Sequence, residues 1–272
     1  MTRFTLHQRL RYDYTSPIRR LEHRLMVLPP AVHVDQTRVS YRLAVHGAGV
    51  ETVESEDAFG NLVVAVRARR VARHVEFEIG VVVDRESTTP VPFARPAGPV
   101  DRRLLAPSSL TAPDAALRAV ARELLGSGQT GIALAELVNA RVHAAMRYRH
   151  DVTTVRTTAA EALALGEGVC QDYAHVMLAL CRLCRVPARY VSGHLQGEGG
   201  SHAWVEVLVP GCAPVAFDPT NGRQAGATYL TIAVGRDYAD IAPTYGTYSG
   251  AGTGTLTTAK VLVVEAADLL AC

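Results

Sequence analysis

Two hydrophobic periods divide this chain. Up to Val83, apolar side chains recur at every second residue; from Pro113 to Leu183 they recur at every third or fourth. A period of two fits a half-buried strand and a period near 3.6 fits a helix, so neither segment can serve as the other. In residues 3–14, Phe4, Leu6, Leu10, Tyr12 and Tyr14 share one face, with His7, Arg9, Arg11 and Asp13 opposite. The same alternation marks residues 21–28, 39–45 and 75–83, and a shorter apolar strand, 62–66, follows a Gly60-Asn61 turn. Short strands separated by turns predict an antiparallel β-sandwich over residues 1–90. Its histidines, His7, His23, His33, His46 and His74, stand near no acidic motif and are expected at the surface or rim.

Pro90, Pro92, Pro96 and Pro99 then read as a stiff linker, assigned here to residues 91–112. Helical spacing follows at 113–125 and 131–148, and Thr158 with Glu161 forms a capping box ahead of a short helix that stops at Gly166. Strands are expected at 188–195, around His202, around Asp218, at 229–234 and at 260–265, with a Gly/Thr-rich connection at 246–258. Helices followed by an antiparallel sheet make residues 113–272 an α+β domain.

The chemistry concentrates in Gly166-Glu167-Gly168-Val169-Cys170-Gln171-Asp172-Tyr173-Ala174. Two glycines break the preceding helix, and an apolar run of helical length continues to Leu183 before Val186-Pro187 ends it. Cys170 therefore belongs at the first turn of a buried helix, where free N–H groups and the helix dipole favour an anion. That setting suits a nucleophilic thiolate. Ser201-His202-Ala203-Trp204-Val205-Glu206 alternates like a strand, and Val215-Ala216-Phe217-Asp218 is a second short strand. A cysteine at a helix start, a histidine on one strand and an aspartate on the next follow the logic of thiol acyl transfer. Each alone reads as core; the order of all three favours catalysis by Cys170, His202 and Asp218. His175, five residues after Cys170, points about 140° away on the same helix. Strand parity demands an even register between the His and Asp strands, with direct pairing placing Trp204 opposite Ala216. Asp172 is expected to cap the helix or grip a neighbouring loop.

Four stretches resemble the bacterial transglutaminase-like family of the papain-like cysteine protease superfamily. They are Gly168 to Ala174, Pro187-Ala188-Arg189-Tyr190-Val191-Ser192-Gly193, His202-Ala203-Trp204-Val205-Glu206 and Phe217-Asp218-Pro219-Thr220-Asn221. Gly235-Arg236-Asp237-Tyr238-Ala239-Asp240 and Asp57-Ala58-Phe59-Gly60-Asn61 extend the likeness over nearly the whole chain. The resemblance implies an N-terminal β domain before a papain-like core, with the cysteine helix packed on the sheet.

The formal net charge of +2 and the lack of a basic patch interleaved with aromatics argue against nucleic acid. No stretch approaches 18 apolar residues and residues 1–14 lack a signal-peptide core, so neither a membrane nor export is expected. Five cysteines in 272 residues do not make a disulfide framework. Cys181 and Cys184 form a C-x-x-C inside an apolar helix and read as core, while Cys212 and Cys272 read as bystanders. No metal or cofactor is expected, and a reducing cytoplasm fits free thiols. The expected activity is thiol-dependent opening of amide or peptide bonds in a peptide or protein substrate, with water as acceptor. An amine acceptor, as in a transglutaminase, is the alternative; a non-catalytic binding module keeping the fold is the rival from another class. Iodoacetamide at neutral pH should modify Cys170 much faster than the other four cysteines; a rate no greater than at Cys181 would count against the nucleophile.

Overall fold

The computed structural model describes residues 1–86, 101–211 and 213–266. The four linker prolines, Cys212 and Cys272 lie outside them. Seven strands open the chain: β1 (Thr2–Tyr14), β2 (Ile18–Leu25), β3 (Val32–His33), β4 (Gln36–His46), β5 (Glu51–Glu56), β6 (Leu62–Val71) and β7 (His74–Arg85). The alternating residues do what their period requires. Phe4, Leu6 and Leu10 pair in register with Val83, Val81 and Phe77, and all six are buried against Leu21, Leu25, Val64 and Val66 of the facing sheet. At ~1.5–3 kcal/mol per buried side chain, this face holds the sandwich together.

Two details depart from the sequence expectation. Val39, at a register irregularity between Arg38 and Ser40, and Tyr41 are exposed, while Leu43 and Val45 further along β4 pack on the sandwich core. Strand β5, Glu-Thr-Val-Glu-Ser-Glu, has no apolar alternation and is exposed throughout; it forms by pairing along β6. His23 is also buried, stacked on Phe77 and edge-on to Tyr12, where burial pushes its pKa down to about 4.

Helices α1 (Ala115–Leu125) and α2 (Gly131–Ala145) follow. Asp114 caps α1, its carboxylate accepting from the Leu117 N–H at 2.8 Å. Helix α2 ends three residues before the expected Tyr148, because β8 (Arg147–Tyr148) leaves to pair in parallel with β9 (Glu167–Gly168). Between them α3 (Ala159–Leu165) carries the predicted Thr158–Glu161 capping box and stops at Gly166, whose φ of 68° is left-handed. Helix α4 (Cys170–Leu183) is buried along nearly its whole length. It packs on α1, α2 and α3 on one side and on β10 (Ala188–Leu195) and β11 (His202–Val207) on the other. The sheet is completed by β12 (Val215–Asp218), β13 (Arg223–Gln224) and β14 (Tyr229–Gly235), in the order β13-β12-β11-β10-β14, all antiparallel.

The C-terminal boundary differs from the expected 113–272 domain. Strand β15 (Thr244–Ser249) pairs with β2, and β16 (Gly254–Ala266) runs along all of β1 from Tyr14 to Thr2. The helix-and-sheet core is thus inserted between strands of one sandwich. Hydrophobic period cannot say which sheet a strand joins; β1 needed a partner on its open edge, and β16 supplies it.

Strand β14 is the edge of the core sheet, and two amides of the sandwich cover it. Asn61 donates to the Val234 carbonyl at 2.7 Å and accepts from the Val234 N–H at 2.8 Å. Gln36 bonds Thr231 in the same two-way manner. Leu230 and Ile232 also project into the sandwich core. No helix among the described residues is long and apolar enough to cross a membrane. Asn61→Ala leaves the buried Val234 N–H and C=O unpaired and should lose roughly 1–3 kcal/mol for each stranded group, read as a lower denaturant midpoint.

Candidate active site

The first turn of α4 is built around Asp172. Its Oδ2 accepts from the Val169 N–H at 2.8 Å and from the Thr153 hydroxyl at 2.6 Å, so it both caps the helix and grips the preceding loop. Burial pushes its pKa up, and these two hydrogen bonds oppose the shift. A Cβ on Gly168 would lie 2.6 Å from Asp172 Oδ2; the close approach, not φ, demands glycine there. The β8–β9 ladder pins the same segment, with Arg147 N–H to Gly166 O at 2.8 Å and Arg149 N–H to Gly168 O at 2.9 Å. Cys170 is held at the helix start with its thiol partly exposed, while Cys181 and Cys184 are buried; all three are free.

His202 opens β11, and its Nε2 lies 2.8 Å from Asp218 Oδ2. Asp218, with no exposed surface, accepts four further hydrogen bonds. Tyr229 OH and Asn221 Nδ2 donate to Oδ2, both at 2.7 Å; the Thr220 and Asn221 N–H groups donate to Oδ1 at 2.9 and 3.2 Å. Burial alone would raise the pKa of Asp218; the His202 bond and the other donors overcome it and bring it to about 2. An ionised carboxylate only accepts, so His202 Nε2 donates. For His202, burial alone would lower the pKa, and hydrogen bonds to Asp218, Cys170 and Glu198 raise it to about 11. The ring thus has Asp218 Oδ2 at Nε2 and Glu198 Oε2 3.1 Å from Nδ1, with Cys170 near enough to contribute to the raised pKa.

The pairing of β11 with β12 has even parity but is shifted by two residues from direct opposition of His202 and Asp218. Glu206 faces Ala216 and Val205 faces Phe217, a register that sets Asp218 across from Trp204. The histidine and aspartate still share a face and meet diagonally. Trp204 stacks on the His202 ring at 6.3 Å between centroids, and Tyr229 lies edge-on to Trp204 at 5.3 Å, so two buried aromatics wall the His202–Asp218 bond from water.

Sequence reasoning missed Tyr229 and Glu198. Tyr229 begins a strand whose place beside Asp218 depends on sheet order. Glu198 sits among Gly197, Gly199 and Gly200, a segment that reads only as a flexible loop. Asn221 lies in the Asp-Pro-Thr-Asn stretch but was given no role; an Asx-type turn is the signal that could have found it. His175 is buried and points away from the thiol; its Nε2 accepts from the Tyr238 N–H at 3.2 Å, and burial brings its pKa to about 4. His33 pairs with Glu206 at 2.9 Å instead of lying free at the rim. Among the described residues, no three His, Cys, Asp or Glu side chains cluster as a metal site would require.

The two shifted groups give opposite pH signs. His202, raised from an ordinary value of 6.5, contributes stability that is complete below 6.5 and is lost as pH rises through about 11. Asp218, lowered from 3.8, contributes stability that is complete above 3.8 and is lost as pH falls through about 2. The stability difference between the native chain and Asp218→Asn should therefore be largest from pH 3.8 to 6.5 and shrink on both sides. Imidazole NMR should show His202 protonated at neutral pH; ordinary titration near 6.5 would contradict this electrostatic account.

Residues 118–219 match the family model of the transglutaminase-like superfamily core, and residues 4–84 match the bacterial transglutaminase-like N-terminal region. An uncharacterized protein of Mycobacterium leprae is 40% identical over 115 residues, covering 39% of this chain and 40% of that protein. An uncharacterized protein of Mycobacterium tuberculosis is 28% identical over 277 residues, covering 90% of this chain and 87% of that one. Among solved structures, one from Cytophaga hutchinsonii, described as a putative cysteine protease, superposes with a TM-score of 0.79 at 23% identity, covering 98% of this chain and 92% of that one. That similarity shows the shared fold, and the two family models, one on each side of the linker, identify this chain as a member of the transglutaminase-like superfamily that carries the bacterial N-terminal region.

Proposed function

We propose that this chain is a cysteine enzyme that hydrolyses amide bonds in peptide or protein substrates through a thioester. The observation that carries the reading is the His202 ring, held at Nε2 by a fully buried, ionised Asp218, with the Cys170 thiol among the groups that raise its pKa. A structural histidine needs no such pairing of a buried anion with a partly exposed thiol.

The Cys170 thiolate attacks the substrate carbonyl carbon, and the developing oxyanion is met by the Cys170 N–H at the start of α4. The tetrahedral adduct collapses by breaking the C–N bond, and the imidazolium of His202 gives its Nδ1 proton to the leaving amine. The neutral imidazole then takes a proton from water as that water attacks the thioester. Collapse expels the thiolate, releases the acid and restores the imidazolium. Asp218 orients the ring through Nε2 in both halves. The exposed side chain of Glu198 shares the Nδ1 face in the resting site and moves aside as substrate enters. Water is the favoured acceptor because it needs no dedicated binding pocket.

We place this reaction in the cytoplasm: the described cysteines are free thiols, and the nucleophile works only when reduced. Mass spectrometry of a peptide library incubated with the protein, with and without an added primary amine, separates the two acceptors. New carboxyl ends in both samples are expected; mass gains only with amine would assign the chain to amine transfer. Cys170→Ala should abolish product, and Asp218→Asn should slow turnover without removing the nucleophile. Full activity in Cys170→Ala would end the proposal.

A further inference from the structure

A cavity of about 200 Å³ lies where the sandwich meets the core sheet, and it borders the histidine strand. Its wall includes Ser201, the residue before His202, and Gly193, which pairs with His202 across β10 and β11. The cavity therefore adjoins the backbone that carries His202. The volume exceeds what one ordered water requires by about an order of magnitude.

The chemistry of the lining is one-sided. Among the described residues no acidic side chain lines the cavity, and Lys260 of β16 brings the positive charge. The Lys260 ammonium donates to the Gly200 carbonyl at 2.5 Å, which uses one of its three N–H donors. Thr244 of β15 and Thr258 of β16 add hydroxyls. His194, on β10, also lines the cavity; its ring is 3% exposed and its Nδ1 has no hydrogen-bond partner. A buried ring nitrogen left unpaired is costly. Glu198, the nearby acid, is turned to His202 Nδ1.

We propose that this cavity is a specificity pocket that receives an acidic side chain of the substrate, its carboxylate pairing with Lys260. The assignment rests on the acyl-transfer reading above and narrows its substrates to acidic peptides. It also gives the sandwich a share in selection, since Lys260 belongs to the sandwich strand β16.

The test measures affinity apart from turnover. Three acetylated, amidated tripeptides, alanyl-X-alanine with X as glutamate, glutamine or lysine, are titrated calorimetrically into the full chain carrying Cys170→Ala. The glutamyl peptide should bind at least tenfold more tightly than the glutaminyl peptide, and the lysyl peptide most weakly. Lys260→Met should bring the glutamyl-to-glutaminyl ratio close to one, and Lys260→Glu should turn the preference toward lysine, which a merely structural role for Lys260 would not do. Equal affinity for glutamyl and glutaminyl peptides while Lys260 is intact overturns the proposal, whether or not the substituted chains fold; so does a preference that survives Lys260→Met. Turnover of the same peptides by the chain with Cys170 intact tests the acyl-transfer reading separately: a binding preference with no turnover would remove that reading and leave the pocket.

Discussion

A carboxylate taken out of water keeps its charge only where donors replace its hydration. Asp218 meets that demand with donors from three places in the sheet: His202 of β11, Tyr229 of β14, and the Thr220-Asn221 turn that ends β12. The ion thereby fixes the relative positions of strands that are not all neighbours. It also fixes the tautomer of His202, because an ionised oxygen leaves Nε2 no role but donor. Arg223 lies over the Tyr229 ring and donates to its hydroxyl, so the outermost strand, β13, is tied to the same charge.

The sandwich is joined to this network rather than appended to it. Glu206, two residues beyond Trp204 on the histidine strand, is buried between Arg189 of the core and His33 of the sandwich, at 2.7 and 2.9 Å. Burial would raise its pKa, yet those two partners hold it well below the ordinary carboxylate range. Arg85 of β7 reaches the Tyr229 carbonyl at 2.7 Å, at the base of the residue that supports Asp218. With Asn61 and Gln36 on β14, polar side chains of the sandwich contact the core sheet along the strand that carries Tyr229. Single buried pairs of this kind contribute little net stability, but they specify one relative placement of two bodies.

Much of this was legible in the sequence because period and capping are local. Strands β1 and β7, the Thr158–Glu161 capping box, the stop at Gly166 and the start of α4 at Cys170 all follow from side chains within a few residues of one another. Parity placed His202 and Asp218 on one face without any knowledge of the loop between them. What was not legible depends on which strand lies beside which. Tyr229 supports Asp218 only because β14 and β12 share a sheet, and β16 joins the sandwich only because β1 has an open edge. His23 and His33 were misjudged for the same reason: their partners, Phe77 and Glu206, come from strands far along the chain.

The return of β16 to β1 has a consequence for how the chain comes to be folded. The first strand is paired on one side by β7, about seventy residues later, and on the other by a strand that begins at Gly254. A growing chain therefore carries an unsatisfied sheet edge through the synthesis of the entire helical core. Closure of that edge joins contacts of very large sequence separation, the kind that are slow to form because loop closure must precede any gain. The last strand, β16, also delivers Lys260 to the cavity wall that includes Ser201. Completion of the barrier between the two bodies and completion of the fold are then the same late event, so a partly made chain has its thiol and histidine but not yet the wall beside them.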